Sequence, residues 1–433
     1  MYFLPRLLDS AVSTGDLELV SPDGRSWRFG DGTGAALRLR ARDRAIDWRI
    51  PLDPELAAPE AIMDGRLEVE EGGIADVVDL FFRNRAGFDA SRAVRLRHAL
   101  GHAGRWLMQF NPSGRSRRNV AHHYDLGNAF YRLWLDEDMQ YSCAYFERGD
   151  ETLDEAQLAK KRHIAAKLRL SPGQRVLDIG CGWGGMAIYL AKVAEVEVTG
   201  VTLSRQQLQL ARERAETAGV ADRVRFELRD YRDIRERYDR VVSIGMAEHV
   251  GAPHLPTYFR TVHERLAPGG VALIHLIGTA GPPTYTGAFL RKYIFPGGYT
   301  PALSETLAEV ERAGSWPLDC EDWRLHYART LAEWRKRFMA VRAQAVESHG
   351  ERFARMWEIY LSGCEATFRH GPSCVFQLQL ARERDAVPIT RDYLGQEKAA
   401  LERRERLAGI APSPTERLRP QTAQDREQER RHA

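Results

Sequence analysis

No apolar run in this chain approaches the roughly 18 residues needed to cross a bilayer as a helix. The opening MYFLPRLLDS also lacks an apolar segment of secretion-signal length. Cysteine is scarce: five in 433 residues, at 143, 181, 320, 364 and 374, with no Cys-x-x-Cys pair and no zinc-like spacing. That scatter argues against a disulfide framework and against a cysteine-built metal site, and for a reducing compartment. These absences predict a cytoplasmic protein with no membrane span and no metal. The length allows two or three domains, each with its own core.

Acids are nearly missing from one stretch. From Arg83 to Arg118, nine arginines (83, 85, 92, 95, 97, 105, 115, 117 and 118) stand against one acid, Asp89. A solvated linker has this composition, and so does a contact with an anionic surface. Near an acidic leaflet each basic residue is worth about 1 kcal/mol. Charge by itself does not choose between lipid headgroups and nucleic acid.

Around this stretch the chain divides into four parts. Residues 1–82 read as a small α+β domain: LELVSPDGRSWRF alternates about Asp23-Gly24 as a hairpin, AALRLRA and WRIPL look like strands, and IADVVDLFF like a short amphipathic helix. Residues 83–119 form the basic linker. In 120–395, QRVLDIG, VEVTGVTL, RVRFELRDY, YDRVVSIGM and GGVALIHLIG read as strands alternating with helices, the pattern of a parallel sheet wound on both faces. Beyond about residue 280 helices are expected, two of them long and interrupted near Ser348-His349-Gly350. Residues 396–433 are polar and read as a charged helix fraying into a disordered tail.

The strongest local signal is VLDIGCGWGG. Gly180, Gly182 and Gly184 follow a strand and precede a helix, where the backbone must turn sharply and a ligand must come close. The loop lacks any Arg or Lys for a phosphate, and Asp178 stands immediately before it, so a cationic or phosphate-free ligand suits it better than a pyrophosphate. The second strand ends in VTLSRQQ with no carboxylate for ribose hydroxyls. Thr202, Ser204 and Gln207 are the polar groups available instead.

The glycine loop, RVRFELRDY and ERLAPGGVALI resemble class I S-adenosylmethionine methyltransferases, an α/β Rossmann-like doubly wound fold. HHYDLGNAFYRLWLDEDMQYSCAYF, LDIGCGWGG, GVTLSRQQ, GMAEHVG, IHLIG, KYIFPGGY and HYARTLAEW, in that order, resemble cyclopropane-fatty-acyl-phospholipid synthases. The likeness runs from about His122 to Tyr393, and more weakly through the first hundred residues. It implies methyl transfer from S-adenosyl-L-methionine to a cis double bond of a phospholipid acyl chain, then loss of a proton from the added methyl as the ring closes. It also implies a bound bicarbonate as base, lined by Cys143, Glu248, His275, Ile277 (through its main-chain N–H) and Tyr327. On this reading Cys143 lines an anion site and attacks nothing. Taken alone, Cys143 and His275 would more ordinarily be core residues and Tyr327 helix packing, whereas Glu248 ends a strand where ligands bind.

For the cofactor the likeness implies Tyr141 and Ser142 at the methionine end, Asp178, Gly180 and Gly182 around the amino acid and ribose, and Tyr231 with Asp230 at the adenine. The implied partners are an unsaturated phospholipid in an anionic membrane, reached peripherally from the cytoplasmic side, and a second copy in a homodimer. NAFYRLWL, amphipathic at helical spacing, reads as a mobile lid. Three other readings compete. A fatty-acyl methyltransferase would pass through the same cation to a branched product. A small-molecule N-methyltransferase would need neither the basic stretch nor the first domain. A lipid-surface scaffold with a degenerate site would not need the intact glycine loop. No nucleic-acid partner is expected, because GMAEHVG stands where an Asn/Asp-Pro-Pro-aromatic motif would be.

Overall fold

The computed structural model describes residues 1–90 and 126–410, together with Val94, Gly101, Gly104 and Gln109. Most of the basic linker, His122 and the last residues of the tail (411–433) lie outside the described residues.

In the first ninety residues, α1 (Phe3–Ala11) places Leu4, Leu7, Leu8 and Ala11 on one face, at the i, i+3, i+4, i+7 spacing of a buried helical stripe. That stripe joins the core of a four-stranded sheet, order β2-β1-β3-β4, made of β1 (Asp16–Val20), β2 (Ser26–Phe29), β3 (Ala36–Ala41) and β4 (Leu67–Glu71). β1 and β2 form the expected hairpin, with Gly24 at a positive φ of 84° in its turn. WRIPL is not a strand. It lies in α2 (Ile46–Leu52), where Ile46 and Ile50, four apart, face the core and the Asp47 carboxylate accepts the N–H groups of Tyr2 and Leu4. α3 (Pro54–Met63) starts on Asp53, which accepts from Leu56 N–H, with Pro54 at the first helical position. α4 (Ile74–Arg83) and α5 (Arg85–Asp89) complete the unit.

The rest of the described chain winds about a seven-stranded sheet. α6 (Asn128–Arg132) and α7 (Leu153–Leu168) precede it, the latter opened by a Thr152/Glu155 capping box. Then come β5 (Arg175–Ile179), α8 (Gly185–Ala194), β6 (Glu197–Thr202), α9 (Arg205–Thr217), β7 (Val224–Leu228), β8 (Tyr238–Ile244), α10 (Leu255–Arg265) and β9 (Leu266–Thr279). The order is β10-β11-β9-β8-β5-β6-β7. Neighbours from β9 through β8, β5 and β6 to β7 run parallel, as the alternating pattern predicts. The order reverses at β5, which lies between β6 and β8, and ligands in such sheets bind at that crevice.

Two strands were not legible. After α11 (Leu303–Arg312), β10 (Trp316–Asp322) precedes α12 (Arg324–Ala340), α13 (Arg342–His349) and α14 (Glu351–His370), and β11 (Ser373–Ala381) returns antiparallel between β9 and β10. β11 is buried on both faces, so SCVFQLQLA shows its pattern only once β9 and β10 flank it. The expected break between long helices falls at Gly350, φ 85°, between α13 and α14.

α15 (Asp392–Leu407) contains the charged helix expected from 396, and it is docked on the domain rather than loose. Glu405 holds it down: fully buried, its carboxylate accepts from Arg162 Nη2 at 2.6 Å and from the Tyr189 hydroxyl at 2.7 Å. NAFYRLWL is likewise no free lid, because Phe130, Tyr131 and Trp134 are buried and Phe130 packs edge-on to Trp357 at 4.9 Å.

Candidate active site

A cavity of about 140 Å³ opens at the carboxyl ends of β5, β6 and β8. Asp178, Gly180, Gly182, Thr202, Gln207, Tyr231, Tyr141 and Ser142 line it, all expected from the sequence. Gly180 and Gly182 have φ of 80° and 54°, the left-handed region that favours glycine, so the loop can curl beneath a ligand. Thr202 donates its hydroxyl to Gln207 Oε1 at 3.0 Å, which holds both side chains at the wall where a ribose carboxylate is absent.

Asp178 is the electrostatic centre of this cavity. It is 2% exposed, and its Oδ2 has no hydrogen-bond partner among the described residues. Burial pushes its pKa up to about 7. A buried carboxylate with a free oxygen in a cavity calls for a cationic or donor-bearing ligand. The ammonium of S-adenosylmethionine supplies one, so the residues present fit that group.

Three expected cofactor residues stand just behind the wall. Gly184 (φ 82°) is needed for packing, since a Cβ there would come within 2.6 Å of Phe226. The Ser204 hydroxyl accepts the Gln207 N–H and caps α9. The Asp230 carboxylate accepts from Arg232 Nε at 2.8 Å and Nη2 at 2.7 Å, which fixes it in the turn after β7 beside Tyr231. Gln140, Trp183, Arg229 and His249 line the cavity without having been foreseen. His249 is half-buried and desolvation lowers its pKa to about 4, so it is a neutral wall.

The proposed reaction centre is assembled from distant segments. Glu248 follows β8 in a short 3-10 turn, and its Oε1 accepts the Ile277 main-chain N–H at 2.6 Å. This corrects the expected role of Ile277: the N–H expected to hold an anion already holds Glu248. The other Glu248 oxygen, Oε2, is buried with no partner among the described residues, and burial raises the pKa to about 7. His275, two residues before Ile277 on β9, shares its side of the strand. It is buried, its pKa is pushed well below the ordinary value by desolvation, and its Nδ1 lies 3.4 Å from Gln377 Nε2 on β11. A Gln377 amide donating to Nδ1 leaves Nε2 of a neutral ring to carry the proton.

Trp323 packs edge-on to His275 at 5.0 Å and caps α12, on which Tyr327 lies one turn further, its ring 4.8 Å from Phe368. Cys143 is buried, and burial raises its thiol pKa far above the usual range, so it is no ready nucleophile. Its segment is tied to α12 by the Ala144 N–H, which donates to Thr330 Oγ1 at 3.0 Å. Tyr141 in turn meets Tyr360 of α14, hydroxyl to hydroxyl, at 2.6 Å.

Lys160 joins the two halves and was not singled out from the sequence. It is completely buried on α7, and its Nζ donates to Gln140 Oε1 and to Ser142 Oγ, both at 2.8 Å. Desolvation lowers its pKa. The signal was present: Lys160, His163 and Lys167 fall on one helical face with Ala156 and Ile164, where a solvated helix would carry apolar residues. Among the described residues no cluster of His, Cys, Asp and Glu has the arrangement of a metal site.

Residues 112–378 match the family model described as mycolic acid cyclopropane synthetase. A probable fatty acid methyltransferase of Pseudomonas putida is 43% identical over 259 residues, 58% of this chain and 66% of that protein. The cyclopropane-fatty-acyl-phospholipid synthase of Escherichia coli K12 is 38% identical over 349 residues, 79% of this chain and 87% of that one. Among solved structures, mycolic acid cyclopropane synthase CmaA1 complexed with SAH and CTAB superposes with a TM-score of 0.59 at 33% identity, covering 63% of this chain and 99% of that chain.

Proposed function

The chain belongs to the mycolic acid cyclopropane synthetase family and is an S-adenosylmethionine-dependent methyltransferase, and on that premise we propose that it adds a methylene across a cis double bond of a phospholipid acyl chain. One observation carries the reading: the buried, half-satisfied Glu248, bonded through Oε1 to the Ile277 N–H two residues along β9 from a buried, neutral His275 that Trp323 meets edge-on.

S-adenosylmethionine supplies the methyl group as a sulfonium, and Asp178 would hold its ammonium. An alkene needs no base to attack a sulfonium methyl, so alignment of the two carries much of the rate. Methyl transfer forms one carbon–carbon bond and leaves a cation on the neighbouring chain carbon. Aromatic rings stabilise such a charge without trapping it. A proton must then leave the added methyl, and its bonding pair closes the ring. Bicarbonate is the base we propose, held by Glu248, His275, Tyr327 and Cys143. Burial keeps Glu248 protonated below about pH 7, so Oε2 can donate to the anion, and neutral His275 can donate through its ring. Neutral donors hold an anion without repelling the lipid cation.

The substrate lies in a bilayer, and no helix among the described residues is long and apolar enough to cross one. We therefore place the enzyme at the membrane surface, with anionic headgroups facing the arginine-rich stretch. The Pseudomonas relative favours one competing reading, a fatty-acyl methyltransferase that leaves a methyl branch.

The two separate by isotope. Vesicles of cis-unsaturated anionic phospholipid, incubated with the protein and methyl-deuterated S-adenosylmethionine, should yield a cyclopropane retaining two of the three deuteriums, faster with added bicarbonate. A branched, still unsaturated chain that has lost its proton from the acyl chain and keeps all three deuteriums would move the function to the methyltransferase. Absence of any labelled lipid would overturn the lipid substrate altogether.

A further inference from the structure

A second cavity, of about 390 Å³, lies between the first unit and the methyltransferase domain. It falls in the size range of ligand pockets, about 300–1,000 Å³. The first unit contributes Leu17, Leu39, Val78 and Phe81 to its wall, and the other domain contributes Phe289, Tyr360 and Cys364. Neither unit encloses it alone. The two are pinned together beside it: Lys292 and Tyr293 both donate to Glu60, at 2.6 and 2.7 Å, and Arg352 donates to Asp64 at 2.8 Å.

Three features say what fills it. The wall is overwhelmingly apolar, and a void of this size lined by hydrocarbon is unfavourable to leave empty. At one side stands Tyr360, whose hydroxyl meets Tyr141 of the cofactor cavity at 2.6 Å, so the two cavities share a wall at this tyrosine pair. The charged residues on the wall are Glu55 and Arg85; the Arg85 side chain is 35% exposed and its Nε donates to Asp89 at 3.3 Å, which holds the guanidinium where the cavity meets solvent.

We propose that this cavity takes an acyl chain of the phospholipid substrate, with the headgroup phosphate toward Arg85, so that the first unit forms half of the lipid site. The proposal rests on the lipid reading above and assigns the small domain a direct part in substrate binding. A chain entering past Arg85 runs between α4 and α14 to Tyr360, where its double bond would meet the cofactor side.

An anionic phospholipid carrying a diazirine in a cis-unsaturated chain tests this. Vesicles containing it are irradiated with the full chain, and labelled peptides are mapped by mass spectrometry. Labels within residues 1–90 are expected; labels confined to residues beyond 278, or none, would overturn the proposal. Methyl transfer to the same vesicles is measured in parallel: product without label in the first unit refutes the cavity and spares the function, and label without product does the reverse. Val78→Trp should lower both label and turnover at least tenfold while S-adenosylmethionine affinity and melting temperature stay put. Wild-type turnover in a folded Val78→Trp protein would also overturn it.

Discussion

Glu248 and Ile277 are joined by a 2.6 Å hydrogen bond from the Ile277 main-chain N–H to Glu248 Oε1, which turns the second carboxylate oxygen inward with no partner among the described residues. β9 therefore does more than carry His275. It aims the acid of the neighbouring segment, and the distance between these groups is set by sheet register rather than by side-chain flexibility.

Glu248→Gln keeps an acceptor for Ile277 but removes the titratable proton. Turnover should fall about 10²–10⁴-fold, the range for loss of a proton-handling group, with S-adenosylmethionine affinity within twofold. Stopped assays of lipid methylation alongside calorimetric binding check the split.

The same substitution alters stability against pH. Native Glu248 titrates near 7 and the unfolded residue near 4.5, so between these values the native state holds a proton the unfolded chain has released. Stability from this group is present at low pH and lost as pH rises through 7, by about 3 kcal/mol at 1.36 kcal/mol per unit. Denaturation at pH 5 and pH 8.5 should show the slope in the wild type and a shallower one in Glu248→Gln.

Asp178 must be ionised to hold an ammonium, yet burial raises it to about 7. Affinity for S-adenosylmethionine should therefore weaken as pH falls below 7, up to about tenfold per unit. Asp178→Asn should bind about 10–100-fold more weakly, the loss of one charged hydrogen bond, and its affinity should no longer follow pH in that window. Titration calorimetry at several pH values reads both.

Glu405 belongs to the folded domain. Glu405→Ala leaves the buried Arg162 guanidinium only Glu402 and takes away the acceptor of the Tyr189 hydroxyl, and should destabilise the protein by about 1–3 kcal/mol, measured by urea unfolding. A chain ended at residue 395 should unfold at lower temperature still.

Trp134, fully buried, lies 5.7 Å from Trp334 and 5.8 Å from Trp357. Trp134→Ala should cost about 3–5 kcal/mol. Slow amide exchange over 128–135 would fit packed core, and fast exchange would restore the lid expected from the helical spacing.

Much of this was readable in one dimension. Parallel strands announce themselves as apolar runs between amphipathic helices, and a glycine loop after a strand announces a ligand crevice. Those patterns are local, so Asp178, Gly180 and Gly182 could be placed from their neighbours alone. Cys143, Glu248, His275 and Tyr327 were named through resemblance, since no spacing links residues 143 and 327.

What the chain's order of residues determined by itself was the βα framework and a glycine loop suited to a cationic or phosphate-free ligand, because each depends on contacts within a few dozen residues, while the cofactor class came through resemblance. Only the tertiary structure decided that Ile277 serves Glu248, that Asp230 serves Arg232, that Lys160 lies beneath Gln140 and Ser142, and that β11 completes the sheet. Asp230 and Arg232 are 2 positions apart, Lys160 and Gln140 20, and Glu248 and Ile277 29, so side-chain placement in the packed fold rather than sequence separation sets these, and burial is what shifts the protons on which the chemistry depends.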